Sequence, residues 1–290
     1  MSLEHQVVEG AGSVKTTQET NGSRACGAGT CRKKPVYALG SIDVRFPDLG
    51  IEREFYYLAS RMKADISTEE DVKYHVLRAN PHLSREVCWV MQIEGTDTYI
   101  LTPSGPSSLD DLIEGLYNDG NKEKYCNVVI GSKGPIAPAQ ACNGLTVPIV
   151  TVDCVYYFDL PSFVKGIPPR QEAANQGDFD RLALDMIRDK VMQMVDNTGE
   201  MDEHRALNYL VVRYDGLYRL LYDKSHESLL QEISVAPSRL SPVRKMLNVI
   251  FTFTHKKAGY KEKYYVRVDV SDKYPFLASK VAEYYDINGM

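Results

Sequence analysis

The stretch GIPPRQEAANQG, residues 166–177, is the sharpest constraint on the fold of this chain. Pro168 and Pro169 fix φ near −65° in succession and remove two amide donors, so neither a helix nor a central strand can run through them. The polar run after them has no apolar periodicity. Upstream, short alternating runs are interleaved with amphipathic stretches; downstream, helices come first and strands last. The pattern predicts an α+β protein of two mixed modules with antiparallel hairpins and packed helices: a first module over 35–167, a linker over 168–178 and a second module over 179–290. Residues 1–34 contain almost no branched apolar side chains and no aromatics, too little apolar surface to offset the entropy of ordering, and are expected to form a flexible, disordered arm.

In the first module VYALGSIDVRF (36–46) alternates as a strand, and Ile51, Phe55, Leu58 and Met62 lie at helical spacing, with a second helical pattern after Asp65. CWVMQIE and TYILTP flank the turn Gly95-Thr96-Asp97 as a hairpin. A short helix opens at Ser107-Ser108, where Ser108 and Asp111 approximate a capping box, and carries Leu109, Leu112, Ile113 and Leu116 on one face. CNVVIG and VPIVTVDCVYYF are two further strands, joined by a loop over SKGPIAPAQACNGL that is expected to leave regular structure.

In the second module Phe179, Leu182, Ala183, Met186, Ile187, Met194 and Val195 share a helix face, and Asp202 is placed to cap the next helix. On that helix Leu207, Leu210, Val211, Tyr214, Leu217, Tyr218 and Leu221 mark one face. The chain closes with VIFTFT, a loop, and KYYVRVDV. There Tyr264, Val266, Val268 and Val270 oppose Lys263, Tyr265, Arg267 and Asp269, the period of a half-buried antiparallel strand.

Composition excludes several classes of function. The net charge is −5 and no Lys/Arg stripe is interleaved with aromatics, which argues against nucleic acid as a partner. No secretory signal and no run of about 20 apolar residues is read, so no membrane association is expected and the protein is placed in the cytoplasm. Its six cysteines, Cys26, Cys31, Cys88, Cys126, Cys142 and Cys154, are then expected to be mostly reduced.

Local frames for catalysis are sparse. Ser241 in PSRLSP has no evident base beside it and reads as a turn hydroxyl. GSKGPIAP after VVI offers amides and a lysine to an anion, but its prolines remove donors. The densest ionisable cluster is DEHR, with His204 as a candidate general base oriented by Asp202 and with Arg205 beside it; the simpler reading makes the same residues a helix start. Zinc prefers four Cys or His ligands, commonly in close pairs. Cys26 and Cys31, in CGAGTC, supply one loose pair, and a complete set would have to add Cys88, Cys142 or a distant His. The arm reads first as a plain linker, second as part of a shared metal site and third as a site of thiol modification.

Taken together, the strings PVYALGSIDVRFP, CWVMQIEG-x-x-TYIL, GPIAPAQACNGLTVPIV, DEHRALNYLVVRY, PSRLS and KYYVRVDVSDKYPFL resemble the PatG-type domains of unknown function. These are the C-terminal parts of patellamide and other cyanobactin maturation proteases, and they also occur as stand-alone chains; this chain is similar to two successive modules of that kind. The resemblance implies a non-catalytic accessory or recognition protein in the maturation of a ribosomally made, post-translationally modified peptide. Its implied partners are the precursor peptide and a subtilisin-like maturation protease, with homo-oligomerisation left open. The alternative is a peptide-modifying, zinc-dependent enzyme using Cys and His residues. For the accessory reading, the exposed face of the closing hairpin with Tyr265, Arg267 and Asp269 offers a place for an extended segment to add as a strand, beside the simpler reading of an ordinary solvated sheet face.

Overall fold

The computed structural model describes residues 33–62, 68–117, 125–159, 162–163, 166 and 197–285. The arm with Cys26 and Cys31, the linker over 168–178 and the helix expected from Phe179 to Val195 lie outside the described residues. Lys33 to Met290 make one compact unit.

Its first half is a closed five-stranded barrel in the order β1-β2-β3-β5-β4, formed by β1 (Lys34–Arg45), β2 (Cys88–Ile93), β3 (Thr96–Pro103), β4 (Tyr125–Ile136) and β5 (Pro148–Asp159). Closure depends on β1 serving two neighbours. Residues 34–40 pair with β4 and residues 41–45 with β2. Gly40 stands at the switch, where a Cβ would lie 2.2 Å from the carbonyl oxygen of Gln92, so the close approach of the two backbones requires glycine. The seam that completes the ring is parallel, β3 against β5.

Helices α1 (Leu49–Arg61), α2 (Glu69–Ala79), α3 (Leu83–Glu86) and α4 (Pro106–Glu114) belong to the barrel half. Asp48 caps α1 by accepting from the amides of Gly50 and Ile51, and Thr68 caps α2 by accepting from Asp71 N–H. The start of α4 differs from expectation. Gly105 is its N-cap and Pro106 its first residue, while Ser108 sits in the first turn and reaches back to the Gly105 amide at 3.0 Å. The presumed loop after CNVVIG is also shorter than expected, because β4 continues to Ile136 and only a 3-10 turn, Ala139–Cys142, precedes β5.

The second half has α5 (Asp202–Arg213), α6 (Asp215–Ser225) and an antiparallel sheet of β6 (Ser228–Pro237), β7 (Met246–His255), β8 (Lys261–Asp269) and β9 (Phe276–Glu283) in sequential order. One apolar stripe spans α5 and α6, but the helix breaks at Tyr214, whose backbone is extended.

Two cores result. Val36, Ala38, Trp89, Met91, Leu101 and Val150 from the strands converge with Phe55, Leu77 and Leu112 from the helices. The other core is shared by both halves: Tyr37, Leu39, Val128 and Ile130 of the barrel pack with Leu207, Leu210, Val211, Phe251 and Val266. Successive residues of β1 therefore feed different cores, and five in a row, Val36 to Gly40, are buried. No helix among the described residues is long and apolar enough to cross a membrane.

Candidate functional site

The string DEHRALNYLVVRY folds as α5 and its C-cap, and its polar side chains tie the helix to the turn after β8 and to the barrel. Arg205, 1% exposed, donates to the carboxylate of Asp202 at 2.8 Å, to the Val270 carbonyl at 3.1 Å, and to the carbonyls of Asp272 and Lys273 in the turn after β8. A planar fork with five donors suits such a cluster of acceptors. Asp202 also binds Lys245 at 2.9 Å, and it occupies the first turn of the helix while Met201 is the N-cap. One turn on, Asn208 donates to the Tyr37 carbonyl of β1 at 2.8 Å and exchanges amide hydrogen bonds with Asn197. Gly199, at φ 76°, accepts from the Tyr37 amide at 2.9 Å, and a Cβ there would lie 2.4 Å from the Tyr37 carbonyl oxygen. Tyr99 of β3 donates to Thr198 O at 3.0 Å, and burial pushes its phenol up to about 12. Arg213 closes the helix with its guanidinium 4.5 Å from the ring centre of Tyr156 on β5, which is hydrogen-bonded to Tyr37.

His204, the candidate base, is buried on this helix. Its neighbours Asp202 and Arg205 are engaged in the contacts just described. Ser241 acts as a turn hydroxyl, accepting from the amides of Val243 and Arg244. Lys133, the lysine of GSKGPIAP, is ion-paired to Glu200.

Cys88 and Cys142 are brought together across 54 residues as a disulfide, with Cα atoms 6.0 Å apart. This corrects the expectation of reduced thiols for these two residues. Sequence spacing could not show the pairing, because it depends on the 3-10 turn folding back over the start of β2. Cys126 and Cys154 are free, and burial raises both thiols, Cys126 to about 12. Among the described residues no group of three or more Cys, His, Asp or Glu side chains is placed to hold a metal ion.

The closing hairpin is not where a strand can add. β8 is flanked on both sides, by β7 and β9, and Asp269 is buried and bound to Arg244 at 2.8 Å. The sheet has two edges, and they differ. In an antiparallel ladder alternate residues turn N–H and C=O away from the neighbouring strand. On β9 the outward amides of Leu277 and Val281 are taken by the hydroxyls of Tyr209 (3.2 Å) and Tyr214 (3.0 Å), both from the DEHRALNYLVVRY string. On β6 the Ser238 amide just beyond the strand donates to Met246 O at 2.8 Å, which sets the phase. With Ile233 opposite Phe251 and Val235 opposite Val249 in that register, the backbones of Ile233 and Val235 point outward. Neither has a backbone partner there among the described residues. The free stretch is bounded by a bulge between Leu230 and Glu232 and by Pro237, which has no amide.

Comparison with known proteins gives the following. Residues 173–284 match the family model described as PatG C-terminal. A solved structure described as "PatG Domain of Unknown Function" matches with a TM-score of 0.67 at 19% identity, over 87% of this chain and 99% of that one. No curated protein matches.

Proposed function

From the premise that residues 173–284 are a PatG-type C-terminal domain, we propose that this protein is a non-catalytic recognition module that holds an extended peptide during maturation of a ribosomally made product. The observation that carries this is the contrast between the sheet's edges: β9 has its outward amides occupied by tyrosines, while β6 presents those of Ile233 and Val235. Strand addition uses main-chain hydrogen bonds for affinity and is tolerant of side chains. That tolerance suits a module that must accept precursor peptides of varied core sequence. The neighbouring subtilisin-like protease is the second expected partner, and the peptide is the one this edge can receive.

A pair of substitutions tests the reading. Val235→Pro removes an outward amide and is tolerated on an edge strand, so it abolishes binding of an extended precursor peptide with a stability cost below about 1 kcal/mol. Ser234→Pro removes an amide used in the ladder and costs about 3 kcal/mol. Undiminished peptide binding by the Val235→Pro protein would sink the proposal.

The zinc-dependent alternative keeps one supporting observation, the proximity of Cys88 and Cys142. Reduced, the pair would supply two of the four ligands zinc takes. Elemental analysis of protein purified under reducing conditions decides it: less than about a tenth of an equivalent of zinc, against the full site that four-ligand coordination requires, removes that reading.

A further inference from the structure

The disulfide borders a cleft of about 460 Å³ on the barrel half, lined by Phe46 at the end of β1, Glu52 of α1, Lys73 of α2 and the turn Cys142 to Leu145. The turn carries two left-handed residues, Asn143 at φ 42° and Gly144 at φ 91°. The volume is that of a small-ligand or side-chain site.

Its charges are largely answered from within, and what remains has a sign. Arg45 on the rim is ion-paired with Asp97, and Lys73 lies 2.8 Å from Asp43 and 3.1 Å from Glu69. The two cations thus face four carboxylates once Glu52 is included. Glu52 has no ion-pair partner among the described residues. The positive ends of α1 and α2, which would otherwise favour an anion, already carry Glu52 and Glu69 in their first turns. An aromatic face completes the wall: Phe46 lines the cleft.

We propose that this cleft binds the cationic side chain of an arginine-bearing peptide segment, its guanidinium between Glu52 and the Phe46 face. A carboxylate supplies a charge-assisted acceptor pair, and an aromatic face within about 6 Å attracts a delocalised cation. Among the described residues, a phosphate or carboxylate ligand finds no uncommitted cation lining the cleft. The site is separate from β6 and does not depend on strand addition.

The test uses the full chain, ¹⁵N-labelled, with acetyl-Gly-Arg-Gly-amide, a probe too short to extend a sheet, and the same peptide with citrulline as a neutral isostere. The arginine peptide shifts the amides of Phe46, Asn143 and Gly144 and leaves Ile233 and Val235 unmoved. Citrulline binds at least about tenfold more weakly, and Glu52→Gln weakens the arginine peptide by a similar factor. Phe46→Leu, which keeps an apolar wall without a π face, weakens it about threefold. Equal binding of the citrulline peptide, undiminished binding to the Glu52→Gln protein, or shifts confined to residues outside the cleft would overturn the proposal.

Discussion

The two halves of this molecule treat sheet edges in opposite ways. The barrel abolishes its edges by pairing β1 with both β2 and β4 and sealing β3 to β5, so every strand has two neighbours. The second sheet stops at four strands and keeps two edges. An exposed row of amides is a template for unwanted pairing, and proteins ordinarily blunt it. Here one edge is blunted by Tyr209 and Tyr214, and the other by a bulge and a proline that leave a short accessible stretch. A chain able to close one sheet and cap an edge of the next leaves a ready opening at Ile233 and Val235, and that asymmetry is what the proposed recognition role rests on.

The largest effect belongs to the anchorage of α5 on the turn after β8. Arg205→Ala leaves several carbonyl oxygens and Asp202 without their buried donor and is expected to cost about 3–5 kcal/mol in denaturant unfolding. Arg205→Lys retains charge but not the fork, and falls between. Coincident loss of signal from Trp89 in the barrel and from the sheet would mark one cooperative unit; two separated transitions would break the shared-core account.

Next comes the barrel's own staple. Cys142→Ser should lower stability by about 2–4 kcal/mol under oxidising conditions, and wild type and variant should converge when reductant is added. A difference that persists in reductant would assign the loss to packing of Cys142 against Cys88 and Val90 instead.

Alkali probes the barrel through Tyr99. Burial pushes its phenol up to about 12, above the usual value near 10 for the unfolded chain. The folded state therefore holds this proton more tightly, and the contribution is complete below about pH 10 and is lost as pH rises through 12. Tyr99→Phe flattens that part of the stability profile. An unchanged profile would place the alkaline sensitivity elsewhere.

The smallest energies test the capped edge. Tyr209→Phe and Tyr214→Phe each remove one hydrogen bond, worth about 1 kcal/mol, and should speed amide exchange at Leu277 and Val281 respectively without affecting Ile233 or Val235. If the edges are equivalent, exchange at all four amides is alike in the wild type, and the comparison fails.

How much of this could be read from the residues varies with how local the cause is. The hairpin at Gly95, helices α1 and α2, and strands β1, β5, β7 and β8 follow from periodicity and turn chemistry, and the α+β class with them. The chain's likeness to PatG-type domains was legible in whole strings such as DEHRALNYLVVRY. Strands β6 and β9 were not legible. A bulge between Leu230 and Glu232 shifts the apolar period in SLLQEISV, and register shifts opposite Arg267 do the same in FLASKVAE. With β9 unread, β8 passes for an edge and the docking place falls on Tyr265, Arg267 and Asp269. The contacts of Arg205 with the turn after β8 and of Asn208 with β1, the Cys88–Cys142 pair and the parallel seam all join residues distant in sequence, and no spacing rule reports them. What the sequence did hold was the chemistry of the hub: a fork-shaped donor, an amide and two tyrosines in one string of 13 residues.

The most direct test of the recognition role is amide hydrogen exchange across the second sheet, with and without a saturating extended precursor peptide. The account predicts new protection at Ile233 and Val235, with Leu277 and Val281 unchanged because tyrosine hydroxyls already hold them. Protection appearing on β9, or peptide binding that leaves the β6 amides exchanging as before, would contradict it.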